Sequence, residues 1–288
     1  MSTLVKHHGS QVTYAKQDPA LALISLFRPI CRGPRPGGLS MISEYDGLTL
    51  KFNVWRAVDA RDQSVLLAAV GLAGLLSDEL KSLNAEVEHP RGQELWFKLQ
   101  AKDMALQDKA KVLKTTKYAM LQAANMTDSG ENYKTLEDCL ERLSMIGCRA
   151  KKDGYDWSMH LLSYAQAPDG TLHIALNPRF ADALVGQHIK ISLFERKALT
   201  TEYAQILHAW LCAWLRPGKT NRIHVDKLSE KVWGNISTND NTNRKRREKI
   251  LKTLNEINDL GGWKASVEGR GLAAIATIFR PQFQILDI

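Results

Sequence analysis

Twice along this 288-residue chain the hydrophobic pattern runs in one order: helix, short turn, helix, β-hairpin. A proline- and glycine-rich segment precedes the first run, and a strong local excess of positive charge sits inside the second. Together these observations predict an α+β protein of two tandem winged-helix domains behind a basic N-terminal arm. The arm covers residues 1–45, the first winged helix 46–186, and the second 187–288, which carries the basic recognition helix. The halves share element order and not sequence, so the duplication is one of fold and not a short-period repeat.

In the arm, Pro19, Pro29, Pro34 and Pro36 lie among Gly33, Gly37 and Gly38, with Lys6, Lys16, Arg28, Arg32 and Arg35 between them. Proline fixes φ and removes a backbone donor, so the stretch RPICRGPRPGG predicts neither helix nor ladder. It reads as a mobile basic segment that becomes ordered on DNA.

In the first domain, Leu48–Val54 alternates as a strand does, Asp62–Leu76 is a strongly apolar helix, and Glu94–Leu99 reads as a strand. Thr115 or Thr116 caps a helix with the sequence KYAMLQAANM. A break at Asp128-Ser129-Gly130 leads to a second helix, Asn132–Met145, with an apolar face of Leu136, Cys139, Leu140 and Leu143. Strands Cys148–Lys151 and Trp157–Ser163 flank Lys152-Asp153-Gly154-Tyr155, whose Asp-Gly pair is a strong hairpin signal, and Thr171–Ala175 is a third strand.

The order recurs in the second domain. His188–Ser192 alternates, and Glu202–Leu215 is a buried-type helix ending at Pro217-Gly218. Asp226 caps a short helix KLSEKVW, and a polar loop runs from Asn235 to Asn243. A helix of about Thr242–Leu260 follows, then a hairpin turning at Gly269–Gly271.

Lys and Arg number 39 against 31 Asp and Glu, a net charge of +8, so a polyanion is the expected partner. The longest apolar stretch, Val65–Leu76, is too short to span a bilayer, so no membrane role is expected. MSTLVKHHGS has no apolar leader core, and Cys31, Cys139, Cys148 and Cys212 form no CxxC. Both point to reduced thiols in a cytosol. No HExxH, GxSxG or His-x-His occurs, and the expectation is a non-enzymatic protein without cofactor or metal.

Two motifs mimic nucleotide sites. Gly218-Lys219-Thr220 ends like a P-loop, but Ala213 stands where the first glycine belongs and a helix precedes it. Gly269-Arg270-Gly271-Leu272-Ala273-Ala274 matches GxGxxA, yet too few residues follow to complete a dinucleotide unit. It reads as a wing tip, with Arg270 able to enter a minor groove.

From Arg216 to Lys252 there are eleven Lys and Arg against four Asp and Glu, a difference close to the whole chain's excess. At 100° per residue, Ile250, Leu254 and Ile257 mark the core face of the long helix. Asn241, Lys245, Lys249 and Lys252 lie roughly opposite, flanked by Arg244 and by Asn243 at the start, with Glu248 among them. Arg246 and Arg247 fall nearer the core and could reach flanking phosphates. Lys219, Arg222 and Arg270 extend the basic surface. The corresponding helix of the first domain carries Lys134, Asp138 and Glu141 outward, and acids there repel DNA. Only its start, Asn132, Tyr133 and Lys134, could touch a backbone, with Lys117, Lys151 and Lys152 as further phosphate holders. The first domain is thus expected to position and the second to specify.

The chain also resembles the RepC replication initiators of IncQ-type broad-host-range plasmids and, more distantly, TrfA- and RepE-like initiators. The likeness is clearest over Thr135–Trp263, in TLEDCLERL, LLSYA, DGTLHIALNP, HIKIS, LHAWLCAWLRPGKT and the pair VWG with NRKRREKI; LFRP-x-CRG in the arm adds to it. The resemblance implies a non-enzymatic protein that binds directly repeated iterons at a vegetative origin and opens adjacent AT-rich DNA. It further implies loading of a plasmid helicase and primase, possible self-association, and control of copy number by initiator supply. A different class, a dimeric winged-helix transcriptional regulator on a palindromic operator, is the alternative.

Overall fold

The computed structural model describes residues 12–30, 34–45, 47–152 and 154–282. The N-terminal part contains β1 (Tyr14–Gln17), α1 (Pro19–Leu23), β2 (Gly37–Tyr45), β3 (Leu48–Arg56) and α2 (Ala60–Leu75). Next come β4 (Lys81–Leu83), α3 (Pro90–Leu99), β5 (Lys102–Asp103), β6 (Ala110–Thr116), α4 (Lys117–Ala123) and α5 (Gly130–Ser144). Four strands follow, β7 (Ile146–Lys152), β8 (Tyr155–His160), β9 (Leu162–Gln166) and β10 (Thr171–Leu176), then α6 (Pro178–Val185). The C-terminal part runs β11 (Ile189–Ser192), α7 (Leu193–Ala198), α8 (Glu202–Trp214), β12 (Thr220–His224), α9 (Val225–Trp233), α10 (Asp240–Asn258), β13 (Lys264–Glu268) and β14 (Ile275–Phe279).

The fold is a mixture of helix and antiparallel sheet built around α2. This helix is apolar on almost every side, and Val65 to Val70 and Leu72 are fully enclosed. A helix that is hydrophobic all round is stable only with partners on all sides. It packs on β1, α4, α5, α6 and α8. Gly71 permits the approach of β1: a Cβ there would lie 2.5 Å from Val12 Cγ1. A capping box starts α2, with Asp59 accepting from the Arg61 and Asp62 amides and the Asp62 carboxylate accepting from Asp59 N. Arg35 bonds Asp59 at 2.6 Å, and Arg142 of α5 bonds Asp62 at 2.9 Å. Burial raises the Asp62 carboxyl above its ordinary range; Asp59 ends below its own because Arg35 and the amides outweigh burial.

One sheet has the order β2-β3-β7-β8-β5 and a second the order β4-β6-β10-β9. The C-terminal part has its own sheet, β12-β14-β13, against α9 and α10, which in turn pack on α8. Glu195 lies inside this unit, bonding buried His208 at 2.8 Å and Trp263 Nε1 at 3.2 Å. Burial pulls the His208 imidazole down, but the Cys212 sulfur and the Glu195 carboxylate outweigh it and bring it to about 9. Glu195 is held below its ordinary range despite burial, by His208, the Trp263 N–H and Arg280.

Several sequence expectations are corrected. Where residues 1–45 are described, they form no mobile arm. β1 pairs with β11, α1 packs on α8, and β2 pairs with β3 along nearly its whole length. The prolines after α1 occupy only the connector to β2, and Met41 is buried in the strand beyond it. The arm's cations are also engaged: Arg35 with Asp59, and Lys16 with the Leu184 carbonyl at 2.7 Å. Lys6, His7, His8, Cys31, Arg32 and Asp153 lie outside the described residues. The pairing of β11 with β1 also means that a division at residue 187 cuts through a two-stranded sheet.

Glu94–Leu99 belongs to helix α3 and not to a strand. Pro90 opens that helix, the His89 ring accepts from Arg91 N, and Leu95 and Leu99 bury one face at helical spacing. The run predicted over Trp157–Ser163 is broken at Leu161 into β8 and β9, which enter different sheets. Helix α9 is preceded by His224, and Asp226 lies in its first turn.

Candidate nucleic-acid interface

The long basic helix α10 is seated by its buried face, where Ile250, Thr253, Leu254 and Ile257 pack against α8 and α9. Asn239 caps it, its side chain accepting from Thr242 N at 3.0 Å. α9 ends on Gly234 at φ +77°, and the absent Cβ leaves room for Arg28, whose guanidinium carbon would lie 2.2 Å from it. The N-terminal segment therefore braces the α9–α10 turn.

The structure divides the predicted residues of α10 into two sets. Asn241, Arg244, Lys245, Lys249 and Lys252 are exposed on one side, with Glu248 among them. Among the described residues, Lys245 and Lys252 have no hydrogen bond or ion pair. Arg244 bonds Glu248 at 3.0 Å and Asn241 at 3.1 Å. Lys249 donates to Tyr203 Oη at 2.7 Å and lies over its ring.

The second set makes contacts within the chain. Arg247 Nε bonds Asp226 at 2.6 Å, tying α10 to α9. Arg246 bonds the Asn235 carbonyl at 2.9 Å and lies over Trp233, and Asn243 clasps both the N–H and the C=O of Ser237. These three shape the turn that aims α10.

Arg222 pairs with Glu268 across the surface of the small sheet at 3.0 Å. Arg270 occupies the connection between β13 and β14, beside Gly269 and Gly271 at φ +78° and +59°. Gly269 is needed there, since a Cβ would stand 2.6 Å from the Ala273 carbonyl. Leu272 is 76% exposed at the same tip. Lys219 sits in the turn from α8 into β12, with its amide on the Arg216 carbonyl at 3.2 Å. Helix-then-strand is the reverse of a P-loop's order.

In the first half, Ser129 caps α5 through Asn132 N, and the Asn132 side chain bonds Thr127 at 2.9 and 2.7 Å. Tyr133 is half-buried, its phenol raised above its ordinary range by burial and Asp128. Lys134 is exposed, as are Glu137, Asp138 and Glu141. Lys117 pairs with Glu137, and Lys151 pairs with Asp156 at 3.4 Å. Lys152 lies close to Gly47 at the sheet end. Strands β7 and β8 are hemmed by β3 and β5, so this hairpin is an interior pair of a five-stranded sheet.

Sequence reasoning missed Tyr203, Trp233 and Leu272. The rings of Tyr203 and Trp233 lie tilted with centroids 5.3 Å apart and orient two cations of α10 from other helices, a relation with no sequence spacing to announce it. Leu272 lay within the recognised turn, but the weight there fell on Arg270. Among the described residues, no cluster of His, Cys, Asp and Glu is placed to hold a metal, and no helix is long and apolar enough to cross a membrane.

A family model described as Replication protein C (RepC) matches residues 9–278. Among curated proteins none matches. The solved structure of domains 2 and 3 of RctB, as a selenomethionine derivative, aligns over 93% of this chain and 99% of that one, with a TM-score of 0.56 at 12% identity. A second RctB structure of domains 2–3 aligns over 90% and 95%, with a TM-score of 0.46 at 11% identity. The first is a likeness of fold.

Proposed function

The chain belongs to the RepC family of replication proteins, and from that premise we propose that it is a plasmid initiator that binds iterons through α10. The observation that carries this reading is the exposed row Asn241, Arg244, Lys245, Lys249 and Lys252, opposite the buried Ile250, Leu254 and Ile257. Basic side chains release condensed counterions and supply affinity, and amide and guanidinium groups read base edges.

The C-terminal elements α8, β12, α9, α10, β13 and β14 act in this reading as a winged helix, with the β13–β14 tip as the wing. Such a unit lays its second helix in the major groove, N-terminal residues first. Asn241, Arg244 and Lys245 then meet bases, while Lys249, Lys252 and Arg270 meet phosphates. The N-terminal half acts as a second, positioning winged helix. The protein works by binding and not by turnover, in the cytoplasm. Several copies on adjacent repeats bend the origin and supply the deformation energy that opens AT-rich DNA. Helicase and primase then load, as they do for IncQ-type initiators. Footprinting the purified chain on its plasmid's origin tests this. Evenly spaced protected direct repeats are expected; a single protected palindrome would favour a dimeric regulator.

A further inference from the structure

Between the two halves lies a cleft of about 310 Å³. Its walls are the start of α2, the α4–α5 turn with Asn132, and α7 with Gln205 of α8. Three cations share it: Arg61, Arg196 and Lys197. Among the described residues, no acidic one lines it.

Arg196 is the unusual member. It is only 4% exposed, and a buried guanidinium ordinarily has a carboxylate partner. Here every partner is neutral. Nη2 bonds the Ala60 carbonyl at 2.9 Å, Nη1 bonds the Gln205 carbonyl at 2.7 Å, and Nε and Nη2 share Ser64 Oγ at 3.2 and 3.1 Å. The residue thus bolts α7 to α2 and α8 while its charge stays uncompensated. Burial accordingly lowers its pKa to about 9.

Arg61 and Lys197 are exposed on the same concavity and, among the described residues, their side chains make no hydrogen bond or ion pair. An acid whose field reaches Arg61 is Glu202, whereas Asp59 meets only the Arg61 backbone amide. Asp59 is committed to Arg35, and Glu202 is itself raised by burial and by Asp59. Three like charges on one small cavity repel unless an anion joins them. Guanidinium groups grouped with a lysine suit phosphate oxygens, which accept several charge-assisted hydrogen bonds at once. The volume is near the lower end for small-ligand pockets, room for a phosphate together with its ester group.

We propose that this junction cleft is a phosphate-ester site, in which Arg61, Arg196 and Lys197 hold one phosphate and so couple the two halves. The phosphate comes either from a DNA strand crossing the junction or from a free nucleotide. The first source rests on the DNA-binding reading above; the second does not.

The test uses the full chain, with Arg61→Gln plus Lys197→Gln as the double variant and Lys134→Gln as a control outside the cleft. Arg196 is left intact because the fold depends on it. Thermal unfolding is followed in inorganic phosphate, in thymidine 5′-monophosphate and in chloride of matched ionic strength. The salt dependence of origin-duplex binding is measured in parallel. Phosphate or the mononucleotide should raise the Tm of wild type and control by about 2 °C or more, and that of the double variant by much less. If the duplex slope also falls in the double variant, by about 0.9 per lost contact, the source is the DNA backbone; an unchanged slope assigns the site to a free nucleotide. Equal behaviour of wild type and double variant in every arm overturns the proposal. Phosphate stabilisation without any origin binding by wild type would overturn the DNA reading and leave the site standing.

Discussion

Helices α5 and α10 occupy equivalent places in the element order of their halves, each following a shorter helix and a turn and preceding a hairpin. Their buried faces are alike: Leu136, Cys139, Leu140 and Leu143 in one, Ile250, Thr253, Leu254 and Ile257 in the other. Their outer faces are opposite. α10 presents Arg244, Lys245, Lys249 and Lys252 around Glu248, whereas α5 presents Lys134 among Glu137, Asp138 and Glu141. The cations near α5 are also spent within the chain, Lys117 on Glu137 and Lys151 on Asp156. Element order thus dictates where a helix sits, and the charge left over after internal pairing decides whether it attracts DNA.

The largest effect expected from this contrast is on affinity. Lys245→Glu with Lys252→Glu should weaken duplex binding on the order of a hundredfold or more at moderate salt, in a gel-shift or anisotropy titration. Lys134→Glu on α5 should change it by less than about threefold. Comparable losses from the two would erase the distinction.

Stability separates the halves in another way. The C-terminal unit is centred on Glu195 and His208, and breaking a buried pair costs about 3 kcal/mol when one partner is partly exposed, as Glu195 is. Glu195→Gln should lower the Tm at pH 6 by about 6–12 °C. The sign of the pH dependence follows from the two shifts. Glu195 lies below its ordinary 4.5, so its contribution is present above that pH and is lost on acidification. His208 lies at about 9 instead of 6.5, so its contribution is complete below 6.5 and is lost as pH rises through about 9. Wild type should lose Tm between pH 6.5 and 9.5, and the gap to Glu195→Gln should narrow over the same range in a scanning fluorescence series. A constant gap would show that the pair is not ionised.

Smaller effects are expected at the tip and at α5. Arg270→Ala should reduce the log–log salt slope by about one contact, with sequence preference nearly intact. Asp138→Ala with Glu141→Ala should leave affinity within about twofold; clear tightening would place α5 against the DNA.

The sequence made the helices and the basic row legible because each is a local signal. The period of Leu136, Cys139, Leu140 and Leu143 and the cap at Thr116 lie within single elements, and so does the clustering of Lys245, Lys249 and Lys252. What was hidden depends on distant partners. The β1–β11 pairing joins strands about 175 residues apart, and nothing in Tyr14–Gln17 announces it. Arg246, Arg247 and Asn243 read as phosphate or base contacts from charge and position. Asn235, Asp226 and Ser237 claim them only once the α9–α10 turn is closed. Leu95 and Leu99 read as strand residues because a stretch as short as ELWFKL, with four apolar residues in six, fits both a strand and one side of a helix.

The central claim is that α10, and not α5, carries the charge that holds DNA. Its most direct test is the salt dependence of origin-duplex binding by the full chain, measured side by side for Lys245→Ala plus Lys252→Ala and for Lys134→Ala plus Lys117→Ala. The account predicts that the first pair lowers the log–log slope by about 1.8 and that the second leaves it unchanged. An unchanged slope in the first pair, or an equal drop in both, would contradict it.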